Sequence, residues 1–173
     1  MKKTLLILLL SAMYVTGNAQ SKARRTASYS NSANKGIFSL GLEAGLPVGD
    51  NGKVYSSILG GSLQYEIKPD ADLGITFSVG YLNYHLKSSY GGGSVGFVPL
   101  LAGVKYYFTP RVFLHPQLGA AIGTASKQGT SFAYALGLGY KLSRNVDAEI
   151  KYMGLSRKAG SLDDVGVRLA YNF

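Results

Sequence analysis

Between Phe38 and Phe173 the chain repeats one pattern, an apolar residue followed by a small or polar one. A period of two sends these sets to opposite faces of a β-strand. It excludes amphipathic helices, whose apolar residues recur about every 3.6 positions. The clearest case is the final stretch, where Val165, Val167, Leu169, Tyr171 and Phe173 alternate with Gly166, Arg168, Ala170 and Asn172. Seven earlier segments read the same way: Phe38–Leu46, Leu59–Ile67, Leu73–Tyr81, Val98–Phe108, Val112–Ile122, Phe132–Leu142 and Val146–Tyr152. In the third, the apolar residues change phase after Tyr81 to Leu82, Tyr84 and Leu86. A bulge near Tyr81 to Asn83, or a strand leaving the apolar layer, accounts for that change.

The connections alternate in length. Residues 68–72, 109–111 and 143–145 are tight turns with Pro, Asp or Asn. Residues 48–56, 87–94, 123–131 and 154–163 are longer and rich in Gly and Ser. Short turns at one end and longer loops at the other describe an up-and-down barrel. The number of strands is even, so both ends of the barrel segment emerge beside the short turns.

Which face points outward is a question of volume. The apolar face carries many Tyr, Phe and Leu side chains, and an eight-stranded barrel holds only a narrow core. The other face is Gly, Ala, Ser and Thr with a few charges, which suits a tight interior. A soluble lipocalin-type barrel needs the reverse arrangement, with Lys and Glu rather than Gly outside. The sequence therefore predicts an all-β, eight-stranded antiparallel up-and-down transmembrane β-barrel, with its apolar face against lipid and aromatics at the boundaries.

The start of the chain fits an exported protein. Residues 1–19 read as a signal peptide: Lys2 and Lys3, the apolar run from Leu5, and small residues Gly17 and Ala19 before the expected cleavage. Residues 20–35 form an aperiodic basic segment, expected to be flexible. The barrel is expected over 36–173. There is no Cys, so disulfides and thiolate metal sites are excluded. Net charge is +9, but the barrel segment carries only 12 basic and 9 acidic residues. That balance leaves no basic face for nucleic acid.

The signal peptide, the alternating segments, the run Val98–Phe108 and the terminal Phe173 together resemble the small outer-membrane β-barrel or "porin family" proteins of Gram-negative bacteria, which include the OmpA, OmpX and OmpW-like barrels. The resemblance implies a place in the cell outer membrane, outer-membrane lipid and lipopolysaccharide as contacts, and the barrel assembly machinery as a partner. A monomer is expected, and the resemblance makes Tyr171 and Phe173 the assembly signal. It specifies architecture more than activity.

The candidate site is the set of charges that alternation turns inward: Glu43, Glu66, Asp147 and Glu149 against Lys105, Lys141, Lys151 and Arg168, with His115 among them. Charges confined in a lumen must pair, because unpaired burial is costly. A selectivity ring shows one dominant sign, and these balance. A structural ion-pair plug is therefore expected. Barrel closure should set Glu43 near Arg168, and Lys141 should meet Asp147 and Glu149. The outer loops carry Lys53, Lys87, Lys127, Arg157 and Lys158, which could neutralise lipopolysaccharide phosphates, against Asp50, Asp163 and Asp164. His85 could join Asp50 or Asp163 in a lipid-modifying enzyme, but no motif supports this. The two histidines give no metal signal, and no cofactor is expected. The leading expectation is a structural or interaction protein at the cell surface. The alternative is a channel for small or apolar solutes.

Overall fold

The computed structural model describes residues 36–125, 128–157 and 160–173. The expected signal peptide and basic segment lie outside the described residues, as do Lys127 and Lys158.

The alternating segments form eight antiparallel strands: β1 (Ile37–Pro47), β2 (Tyr55–Ile67), β3 (Leu73–Leu86), β4 (Ser94–Tyr107), β5 (Val112–Gly123), β6 (Thr130–Lys141), β7 (Val146–Arg157) and β8 (Gly160–Asn172). Each strand pairs with its chain neighbours, and β8 returns to β1, so the barrel is closed. Closure leaves no unpaired sheet edge. The seam register sets Glu43 opposite Arg168 and Gly45 opposite Gly166. One end holds the three tight turns, Ile37 and Phe173. The other holds the loops, including a short helix, α1 (Asn51–Val54), and a 3-10 turn at Ser88–Tyr90.

Two expectations about the loop end are corrected. Residues 154–163 are not a long loop. β7 runs to Arg157 and β8 starts at Gly160, paired down to Arg157 with Gly160, because alternation continues through Met153, Leu155 and Leu162 with the apolar set turned inward. The bulge is not at Tyr81 to Asn83 either. β3 keeps one register along β4, from Leu73 with Tyr106 to His85 with Ser94. The irregularity lies on β2, between Tyr55 and Ser57. It lets both Tyr55 and Ile58 pack on the interior. Leu82 and Tyr84 thus mark a change in which side of the wall is apolar, with no change in backbone phase.

The outer wall is apolar along nearly its whole height. Leu42 is 71% exposed and Phe173 is 73% exposed, and large exposed Leu, Phe, Tyr, Val or Ile side chains occur on every strand. A soluble monomer does not tolerate a continuous apolar surface of this extent, so the wall meets lipid. Aromatic pairs ring the turn end: Phe38 with Tyr65, Tyr106 with Phe108, and Tyr171 with Phe173. Phe132, Tyr134 and Tyr152 stand toward the loop end. Such girdles mark the two lipid–water boundaries.

Candidate functional site

Inward alternation brings the charges of several strands into one lumen. Its floor, at the turn end, is aromatic. Tyr107 of β4 and Phe113 of β5 stack with ring centroids 5.5 Å apart. Gly139 of β6 faces Phe113, and a Cβ there would overlap the ring. Lys105 lies above this floor, 1% exposed at its side chain. Its ammonium is 3.1 Å from Glu66 and 3.4 Å from Asp147, and 4.6 Å from the Phe113 ring centroid. The Tyr107 hydroxyl donates to Glu66 at 2.6 Å, and the Asn172 amide donates to Asp147. Each buried carboxylate therefore has both a cation and a neutral donor.

The middle of the lumen is a second cluster. Lys151 of β7 reaches Glu43 of β1 at 2.6 Å. Arg168 of β8 stands 3.8 Å from the other oxygen of Glu43 and donates to Ser62 and Ser39. Its fork suits this role, offering several fixed N–H donors at once. Glu149 of β7 lies opposite Arg168 in register and contacts His115 Nδ1 at 3.1 Å. His115 Nε2 lies 2.9 Å from the Thr76 hydroxyl. Gly137 makes room for Glu149, whose carboxylate occupies the space a Cβ would need.

Hydroxyl, imidazole and carboxylate stand here in the order of a nucleophilic triad. Thr76 is fully buried and lines neither of two small lumen cavities. One is lined by Glu43, Ile58, Lys151 and Asp164, the other by Glu43, Gln64, Gln117 and Arg168, and each holds about 10 Å³. That is room for one water, and the Thr76 hydroxyl and the Glu149 carboxylate hold the His115 ring between them.

Toward the loop end the lumen becomes apolar. Ile58, Leu82, Tyr84, Phe97, Leu101, Met153, Leu155 and Leu162 form one buried cluster. Tyr84 packs edge-on against Tyr55 and Phe97. Its hydroxyl donates to Asp164 at 2.7 Å. The Arg157 guanidinium lies 4.6 Å from the Phe97 ring centroid, over the top of the cluster.

Glu43, Glu66, Lys105, His115, Asp147, Glu149, Lys151 and Arg168 thus share the interior. Lys141 also points inward and is opposite Asp147 in register. Its ammonium lies against the Tyr107 ring, 4.5 Å from the centroid, because Lys105 and Asn172 already occupy Asp147. Tyr84, Tyr107 and Asp164 were missed. Asp164 is in phase with Gly166, Arg168 and Ala170, and that parity was the available signal. It is buried in the lumen, which corrects its placement as an outer-loop charge. His85 forms no site with Asp50 or Asp163. Its Nδ1 has no hydrogen-bond partner, while Asp50 holds Lys53 and Asp163 accepts from Tyr134 and Ser161. Among the described residues, no group of three His, Asp or Glu side chains is placed to hold a metal.

No protein-family model matches the chain, and no curated protein matches it in sequence. Solved structures do. The attachment invasion locus protein Ail of Yersinia pestis, in complex with the heparin analogue sucrose octasulfate, is similar at 20% identity and TM-score 0.60, over 82% of this chain and 99% of that one. The N-terminal β-barrel domain of Pseudomonas aeruginosa OprF is similar at 16% identity and TM-score 0.56, over 81% and 99%. The designed barrel TMB2.3 is similar at 16% identity and TM-score 0.53, over 82% and 97%. Identities this low speak for architecture, and they agree with the closed eight-stranded barrel and its lipid-facing wall. The chain has the fold of the small outer-membrane β-barrels.

Proposed function

We propose that this protein resides in the outer membrane as a monomeric barrel with a plugged lumen, serving a structural and interaction role at the cell surface. One observation carries the reading: buried side chains line the lumen from the Tyr107–Phe113 floor to the Phe97 cluster, and two cavities among them hold only about 10 Å³ each. An eight-stranded barrel is only wide enough for side chains to fill. Purified, refolded protein in planar bilayers is expected to show no stable single-channel current. A steady open conductance overturns the plug and puts a solute channel in its place.

The surface role rests with the loops. Ail was solved with a sulfated heparin analogue, and lipopolysaccharide phosphates are anions of related chemistry. Here the described loop cations have internal partners: Lys53 pairs with Asp50, Lys87 donates to the Gly52 carbonyl, and Arg157 covers Phe97. These engagements favour contact through shape and hydrogen bonding over simple charge neutralisation. The assembly signal is assigned to Tyr171 and Phe173, which pack edge-to-face on the outer wall at the turn end. That pair presents aromatic surface to the assembly machinery before the strand closes. Deleting Phe173 is expected to lower outer-membrane yield more than deleting Tyr90 of the exposed 3-10 turn. Equal yields count against the assignment.

A further inference from the structure

We propose that the lipid-facing wall near the turn end carries a dedicated site for one phosphate-bearing lipid. The site is an apolar groove of about 390 Å³, lined by Val112, Leu138, Tyr140, Ala148, Ile150 and Val167. Ala148 forms its floor. It lies opposite Tyr140 on one side and Leu169 on the other, so a methyl group stands between two large side chains.

The groove is capped by cations. It spans the start of β5, the end of β6 and the start of β7, where the β4–β5 and β6–β7 turns carry exposed arginines, Arg111 and Arg144. Arg111 Nη1 donates to the Tyr140 hydroxyl at 3.3 Å. That bond ties the charge to a side chain of the groove itself and uses one of the five guanidinium donors. The nearest acids in sequence, Asp147 and Glu149, are buried in the lumen. An apolar trough headed by guanidinium groups at the depth of an aromatic girdle complements an acyl chain bearing a phosphate.

A second groove supplies an internal contrast. It adjoins the first across Ile150 and Val167 and holds about 400 Å³ toward β1 and β2, with Ala44, Leu46, Leu59 and Val165 in its lining. Its loop-end neighbours are the paired Asp50 and Lys53, and no arginine heads it among the described residues. It offers the apolar half of the site without the charge.

The site rests on the membrane placement proposed above and is independent of whether the lumen conducts. The test is native mass spectrometry of refolded barrel supplied with palmitoyl-oleoyl phosphatidylglycerol, phosphatidylethanolamine, dioleoylglycerol or inorganic phosphate. Refolding is checked for every variant by the gel shift between boiled and unboiled samples. One phospholipid per barrel is expected to be retained. Arg111→Gln, which removes a charge-assisted contact, should cut retention about tenfold. Ala148→Leu, which fills the groove, should cut it similarly, while Ala44→Leu in the second groove should leave it unchanged. Equal retention by all three variants means ordinary surrounding lipid and overturns the site. Dioleoylglycerol retained as well as phospholipid overturns the phosphate, and inorganic phosphate bound alone with the same Arg111 dependence overturns the lipid. A barrel that does not enter membranes at all fails earlier, at reconstitution, and refutes the placement rather than the groove.

Discussion

The two halves of the lumen solve one packing problem with opposite chemistry. Near the turns, Lys105, Glu66, Asp147, Glu149, His115, Lys151, Glu43 and Arg168 meet inside the barrel as paired charges. Near the loops, Tyr84, Phe97, Met153 and Leu155 pack together as in the core of a soluble protein. The apolar half gains from leaving water and loses little if one methyl moves. The charged half has already lost its hydration, so each group depends on its partners remaining. The polar half should therefore be brittle toward loss of one group, and the apolar half graded toward loss of volume.

The largest effect is expected where two carboxylates share one cation. Lys105→Ala leaves Glu66 with the Tyr107 hydroxyl and with Lys68 at 3.6 Å, and Asp147 with only the Asn172 amide. Stability, measured by urea unfolding in lipid vesicles, should fall by about 3–5 kcal/mol. A fall below about 1 kcal/mol would mean that lumen water hydrates the carboxylates, and the contrast between the halves disappears.

In the apolar half, Leu155→Ala should cost about 2–5 kcal/mol, depending on how far the cluster collapses around the space. The discriminating control is Leu155→Met, which keeps volume and should cost less than about 1.5 kcal/mol. If Met and Ala cost the same, the cluster is not packed as described.

The seam pair offers the finest comparison. Lys151 still holds Glu43 when Arg168 is lost, so Arg168→Ala should cost less than Lys105→Ala. Arg168→Ala and Glu43→Ala should couple by about 0.5–3 kcal/mol in a double-mutant cycle. Strict additivity would show that the facing register carries no interaction.

Much of this was legible in the sequence because a barrel has few geometric choices. Period two fixed the facing of Glu43, Lys105, His115, Glu149 and Arg168, and an even strand count with closure placed Glu43 beside Arg168. What escaped has a common cause. Alternation says which residues share a face, but not whether that face is apolar at a given height. Leu82 and Tyr84 looked like a slipped phase, yet they are inward residues of an unslipped strand. Asp164 looked like a loop charge because β8 extends further than its apolar outer face. Lys141 was assigned a carboxylate by register alone, and the competition of Lys105 and Asn172 for Asp147 is invisible along a chain.

The seam between β1 and β8 joins the two ends of the sheet, and its side chains work as a key. Glu43 meets Arg168 there, with Gly41 and Gly45 two residues to either side on β1. A strand that slipped by two would place Arg168 opposite a bare glycine and leave Glu43 facing Gly166 or Ala170. Backbone hydrogen bonds are indifferent to such a slip, and so is the alternation of the outer wall, since a shift of two keeps every residue on its face. The Arg168 contacts with Glu43 and Ser39 are side-chain contacts that tell this closure from its neighbours. The same residues that pair inside the barrel are thus register markers for its closing seam.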